Sequence, residues 1–225
     1  YYIGQSHPSE LQSKTEDEIV EEIVRDITVG VGGTGIKAGI LGEIGCSYPL
    51  KETEIKVLGA VALTQQKTGV PVNIHPGHSQ VAPIEIIELL NDKGGDINNT
   101  VMSHVENRHG NDFDLTSELA DTGCFIEYDS FGNTQNPIML PNKTIYGLSD
   151  WKRIDCIKYL IDQGYLEQIL ISHDVFNKTD LRQYGGPGYD HILTTVVPLM
   201  RMRGVPVEQI RVILEKNPAR MLQFS

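Results

Sequence analysis

The chain has 225 residues, 19 basic against 30 acidic for a formal net charge of −11, and is 40% hydrophobic and 22% charged, a composition that suits one globular domain with a real core. The acidic balance argues against a nucleic-acid partner, because affinity for phosphate backbones comes mostly from Lys and Arg displacing counterions. Apolar runs such as Val61-Ala62-Leu63 fall far short of the roughly 18–20 residues of a membrane helix, so no membrane partner is expected. Three cysteines, Cys46, Cys124 and Cys156, are odd in number and widely spaced, which leaves no disulfide framework and no CxxC knuckle. A cytoplasmic setting fits that usage. The Asn-x-Thr sequons at Asn98, Asn142 and Asn177 would matter only on the secretory route.

In chain order, Tyr1 to Gly4 reads as a strand. Thr15 to Val29 carries an apolar stripe of Ile19, Val20, Ile23, Val24 and Ile27 opposite an acidic face, the pattern of an amphipathic helix, and Thr15 with Glu18 forms a capping box. A Gly-rich turn leads into a buried strand over Ile36 to Ile44, then a helix over Lys51 to Thr68. The alternation continues: strand Val70 to His75, helix Pro83 to Lys93, strand Thr100 to His104, helix Leu115 to Thr122, strand Cys124 to Tyr128, helix Asp150 to Gln163, strand Ile169 to Asp174. Helices over His191 to Met202 and Val207 to Lys216 close the chain. The polar stretch between Tyr128 and Trp151 is too long for a minimal βα link; on a catalytic face such loops often act as lids or specificity loops, with a floppy insertion the equal alternative.

Short apolar strands alternating with amphipathic helices predict an α/β protein with a parallel sheet. A doubly wound sheet and a (β/α)8 TIM barrel both fit. The barrel is favoured because Glu43, His75, His104 and Asp174 each stand at the carboxyl end of a different predicted strand, where barrel sites are assembled. The separations of 32 residues from Glu43 to His75 and 29 from His75 to His104 each match one βα unit. Carboxylate and imidazole are ligands that suit zinc or a similar divalent ion. About six of eight βα units are visible, so the barrel is read as incomplete.

The chain resembles the phosphotriesterase-related proteins of the amidohydrolase superfamily. The resemblance runs through essentially its whole length and rests on Gly42-Glu43-Ile44-Gly45, Ile74-His75-Pro76-Gly77, Met102-Ser103-His104, Glu127-Tyr128-Asp129 with Phe131-Gly132, Ser172-His173-Asp174, Tyr184-Gly185-Gly186 with Gly188-Tyr189 and His191-Ile192-Leu193, and Asn217-Pro218-Ala219-Arg220. It implies a (β/α)8 metal-dependent hydrolase with two divalent ions, zinc in most members, that cleaves an amide, ester or lactone bond of a small molecule through a metal-bound hydroxide. An N-acyl amino acid-like substrate is in keeping with it. By the same resemblance Glu43 bridges both metals, His75 and His104 hold the second, and Asp174 binds the first and accepts the proton. Tyr128, Tyr189 and His191 are read as substrate-binding, the last two because they lie on the Gly-rich loop after the last strand, with capping of the following helix the equal alternative for His191.

One departure is serious. The family's first strand ends in a His-x-His pair that supplies two ligands of the first metal, and no His-x-His occurs in these 225 residues. Residues 1–225 are therefore expected to be a single hydrolase barrel domain truncated at its N-terminus, with room for a homo-oligomer. The alternative from another class is a catalytically inactive truncated barrel that serves as a binding or regulatory module.

Three other signals fail on context. Gly30-Val31-Gly32-Gly33-Thr34-Gly35 spells GxGxxG, but a helix precedes it and a strand follows, the reverse of a dinucleotide fingerprint. Ser172-His173-Asp174 are neighbours on one strand and cannot form a triad, so His173 is expected to point away from Asp174. Cys46 and Cys124 lack a base partner and read as small buried residues. The truncated reading predicts that the purified chain exposes open sheet edges and lacks two tight metals. A monomer on size-exclusion chromatography with two tightly bound ions by metal analysis would refute it.

Overall fold

The structure is a computed structural model that describes residues 1–133, 138–140, 143–145 and 147–223. Its contacts divide the chain into two compact units, one comprising Tyr1–Ser103, Asp121–Phe125 and the segment from Ala219, the other His104–Ala120 and Ile126–Pro218. The parallel strands follow one another in the order β1 (Leu41–Gly45), β2 (Val72–His75), β3 (Thr100–Met102), β4 (Phe125–Tyr128) and β7 (Ile169–Ile171). Between β4 and β7, β5 (Ile138–Leu140) and β6 (Lys143–Ile145) pair antiparallel, so the long connection carries a small ribbon of its own. The Asn142 sequon lies outside the described residues. Among the described residues no helix is long and apolar enough to cross a membrane.

In the first unit α1 (Glu16–Thr28) starts at the predicted capping box: Thr15 Oγ1 accepts from the Glu18 amide at 3.2 Å and Glu18 Oε2 accepts from the Thr15 amide at 2.8 Å. Its stripe buries Ile19, Val20 and Ile27. The start of α2 (Glu52–Thr68) is fixed by the buried Glu54, whose carboxylate accepts from the amides of Lys51, Ser47 and Gly4 and from Ser47 Oγ. Burial opposes that charge, yet the four donors outweigh it and hold the Glu54 carboxyl below the usual range. α3 (Ala82–Asp92) completes the second βα unit.

The Tyr1–Gly4 strand does not form. Gly4–Ser6 is a 3-10 turn pinned by Glu54, and a ladder-like bond from the Gly45 amide to the Tyr1 carbonyl at 3.2 Å stands where a strand pair was expected. The strand predicted over Ile36 to Ile44 begins only at Leu41. In register, Leu41 faces Val72, Ile44 faces Ile74 and Gly45 faces His75, with an irregularity between Leu41 and Ile44. Within that irregularity β1 comes very close to β2: a Cβ on Gly42 would lie 2.8 Å from the Asn73 carbonyl oxygen and 2.9 Å from Asn73 Cβ, so only glycine fits. β3 pairs with β2 through Val72 opposite Thr100 and Ile74 opposite Met102, and the Ser103 amide donates to the Ile74 carbonyl at 3.0 Å.

In the second unit α4 (Val105–Arg108) is a single turn, followed by α5 (Phe113–Asp121) and α6 (Asp150–Asp162), the last capped by Ser149 Oγ. β4 pairs with β7 through Ile126 opposite Ile169 and Tyr128 opposite Ile171. The two closing helices are present, but each contains a wide π turn. Ile192–Val196 runs into α7 (Val197–Met202), and α8 (Val207–Arg211) runs through Val212–Lys216 into α9 (Asn217–Met221). Both wide turns stand just before a proline, Pro198 and Pro218. A proline lacks the N–H and its ring clashes with the carbonyl four residues back, and a π turn relieves that clash without ending the helix. Asn217 Nδ2 then donates to the carbonyls of Leu166 and Ile169 at 2.9 and 2.8 Å, tying this helix to the start of β7.

Replacing Gly42 by Ala should force β1 away from Asn73 and destabilise the chain by about 1–3 kcal/mol, the range for added bulk at a packed site. Urea denaturation of the purified variant against the parent measures this, and an unchanged midpoint would contradict the close approach.

Candidate functional site

Glu43 is the third residue of β1, directly after Gly42, and His75 ends β2. The close approach at Gly42 brings their side chains together, Glu43 Oε1 lying 3.4 Å from His75 Nδ1. The Tyr2 ring meets the His75 ring edge-on with centroids 4.9 Å apart, and the Tyr2 hydroxyl is 3.2 Å from each ring nitrogen. His104 follows β3 by two residues. The strand predicted to run through it stops at Met102, and His104 adopts a left-handed conformation (φ 55°) as the N-cap of α4. That conformation is uncommon for a non-glycine residue. Both oxygens of the Asp129 carboxylate hold it there, Oδ2 accepting from the His104 amide at 2.9 Å and Oδ1 lying 2.8 Å from Nδ1.

Glu43, His75 and His104 each offer a ligand atom, all within 4.8 Å of one another, and form a group that could hold a metal ion among the described residues. The donor chemistry fits a divalent cation. Ligands about 2.0–2.1 Å from a tetrahedral zinc sit about 3.4 Å from each other, the separation seen between Glu43 and His75. Asp129 supplies the outer partner that a metal-binding imidazole usually has, since a carboxylate on Nδ1 leaves Nε2 as the ring's ligand atom.

Asp174, the fourth expected ligand, lies beyond the end of β7, which stops at Ile171, and is also left-handed (φ 48°). With His173, Asn133, Asp180 and Pro187 it lines a cavity of about 310 Å³ in the second unit. The His173 Nε2 accepts from the Ile192 amide at 3.1 Å. Burial and the neighbouring His191 lower its pKa, in keeping with a ring whose Nε2 must stay unprotonated. Of the expected substrate contacts, Tyr189 is 71% exposed and Tyr128 is 1% exposed, which places Tyr128 in the packing of the second unit. His191 Nε2 lies 2.6 Å from Asp150 Oδ2. Burial pushes the Cys46 thiol up, and that of Cys124 up to about 12, so both stay protonated and poorly nucleophilic.

Sequence reading missed a buried polar network in the second unit. Arg153, with no exposed surface, donates from Nε to Glu106 Oε1 at 3.1 Å, from Nη1 to Asp150 Oδ1 at 3.1 Å and from Nη2 to the Asn133 carbonyl at 3.2 Å. Glu106 Oε1 also accepts from the Ser130 amide at 2.9 Å. Burial first, and the Asp129 charge second, push the Glu106 carboxyl upward against the pull of Arg153. The available signal for Asp129 was an acid at a strand end, like Asp174.

Comparison with known proteins decides the relationship. The model of the phosphotriesterase family matches residues 1–222. The chain belongs to this family. It is 45% identical over its full length to a phosphotriesterase-related protein from Nematostella vectensis and 43% identical to an N-acetyltaurine hydrolase from Bos taurus. It spans 64% of the length of each of these curated relatives. Among solved structures, the Escherichia coli phosphotriesterase homology protein complexed with phosphate in its active site superposes with a TM-score of 0.89 at 29% identity, covering 99% of this chain and 72% of that one. The α/β fold is accordingly of the TIM-barrel type expected.

Asp129→Ala should weaken metal binding about 10- to 100-fold, the usual cost of losing the outer partner of a ligating imidazole. Competition with a chromophoric chelator measures it, and an affinity equal to the parent's would show that Asp129 does not orient a ligand.

Proposed function

We propose that this chain carries part of the metal centre and the substrate-facing loops of a hydrolase that cleaves an amide, ester or lactone bond of a small molecule. The observation that carries the reading is the convergence of Glu43, His75 and His104. Its chemistry agrees with the activity named for the Bos taurus relative, the hydrolysis of an N-acyl compound, and an N-acyl amino acid-like substrate follows from that likeness.

Glu43, His75 and His104 would hold the cation, with zinc the ion that best suits two imidazoles and a carboxylate. A divalent cation supplies Lewis-acid polarisation of the scissile carbonyl and makes water acidic enough to ionise near neutral pH. These three residues provide for one ion. The second zinc of the complete site would need donors beyond Glu43 and Asp174.

The chain's own groups do the rest. Glu43 places a negative charge beside the His75 ring, and Asp129 keeps the His104 ring in one tautomer. Asp174, on the wall of the cavity, accepts the proton of the attacking water on a carboxylate oxygen and returns it to the departing amine or alkoxide. Tyr189, exposed after Gly188, is the side chain assigned to substrate. His191, committed to Asp150, shapes the loop that carries it.

Equilibrium dialysis of the full chain against zinc, followed by assay on N-acyl amino acids, N-acyltaurine, esters and lactones, tests the reading. Zinc uptake should fall sharply in Glu43→Gln, His75→Ala and His104→Ala, and uptake unchanged in all three would defeat it. Asp174→Asn should keep the His75- and His104-bound ion while lowering kcat by about 10²–10⁴, the usual contribution of a positioned proton acceptor. A kcat within twofold of the parent's would remove Asp174 from the mechanism.

A further inference from the structure

We infer that Arg153 is a positioning residue whose single guanidinium sets the orientation of two imidazoles of the second unit, His104 and His191. The inference rests on the metal-site reading only for the role of His104, and the geometry that carries it is independent of any ion. One branch leaves Arg153 Nε for Glu106 Oε1, which also accepts from the Ser130 amide. Ser130 is the neighbour of Asp129, its Oγ lies 3.3 Å from Asp129 Oδ1, and Asn107 Nδ2 donates to that Oγ at 3.0 Å. Asp129 in turn holds the His104 amide and Nδ1. The other branch leaves Nη1 for Asp150 Oδ1, which the Gly132 amide also reaches at 2.9 Å, while Asp150 Oδ2 faces His191 Nε2 at 2.6 Å. The third arm, Nη2, takes the carbonyl of Asn133, which itself lines the cavity with Asp174.

Three features make this more than a buried ion pair. Arg153 and Glu106 have no exposed side-chain surface, so their geometry is not averaged by solvent. The planar fork meets three acceptors in three directions, which a lysine ammonium on a flexible stem cannot do at once. The loop is also packed too tightly to adjust: a Cβ on Gly132, whose φ is +87°, would lie 2.8 Å from Pro187 and 3.1 Å from the His191 ring. A change at Arg153 must therefore be passed on to the rings.

The test is Arg153→Lys in the full chain, read by the ring 15N chemical shifts of His104 and His191 and by zinc affinity. Shifts of both rings with a zinc affinity lowered about tenfold, in a chain whose circular dichroism matches the parent's, are expected. Ring shifts identical to the parent's would overturn the inference. Should the lysine variant not fold, the parent decides: separate, slowly exchanging guanidinium signals for Arg153 support the fork, and a single averaged signal refutes it. A parent chain that takes up no zinc would defeat the function proposed above, while the ring shifts would still judge Arg153.

Discussion

Glu43 Oε1 and His75 Nδ1 stand 3.4 Å apart, a carboxylate beside an imidazole nitrogen that can carry a proton or offer a lone pair to a cation. Backbone brings them together: β1 is pressed onto β2 at Gly42, where no side chain fits, and the register puts Gly45 opposite His75. A carboxylate and an imidazole fixed together by strands favour a proton or a cation between them. That is why the arrangement reads as a receptor for positive charge. The overall charge of −11 favours the same sign of ligand.

His104 is held by a different device. It leaves its strand early and turns left-handed, a conformation that costs energy outside glycine and persists only where the surroundings insist on it. The two-point grip of Asp129 is that insistence. Asp174, three residues past the end of β7, also has a left-handed backbone, so the same backbone conformation turns both side chains off their strand directions. The period-2 alternation of a strand could not point them so.

That turn marks the boundary of what the sequence discloses. The helix at Glu16 was legible to the residue, because Thr15 and Glu18 cap it locally and its stripe needs no distant partner. The strands were legible as apolar runs, but their ends were not: His104 looks like a strand continuation until the Asp129 carboxylate, 25 residues on, is placed, and β7 stops at Ile171, short of Asp174. Tyr1 to Gly4 has the composition of a strand and loses that structure to Glu54, fifty residues away in the chain. The wide turns before Pro198 and Pro218 could have been read, since a proline inside a helical pattern announces a fault in the ladder.

Arg153 shows the limit most sharply. On α6 the buried positions are Arg153, Ile154, Cys156, Ile157 and Leu160, so a guanidinium occupies a place on an apolar stripe. A charge there is costly unless it is paired and hydrogen-bonded, and one partner, Asp150, stands a single turn away where an i,i+3 pair can be read. The second, Glu106, is 47 residues distant, and no local rule links them. A lone cation on an apolar stripe therefore signals that two acids must be found, without saying where. Here the distant acid lies two residues from His104, the imidazole assigned to the proposed metal site, so the burial of Arg153 joins the packing of α6 to the α4 turn that follows that ring.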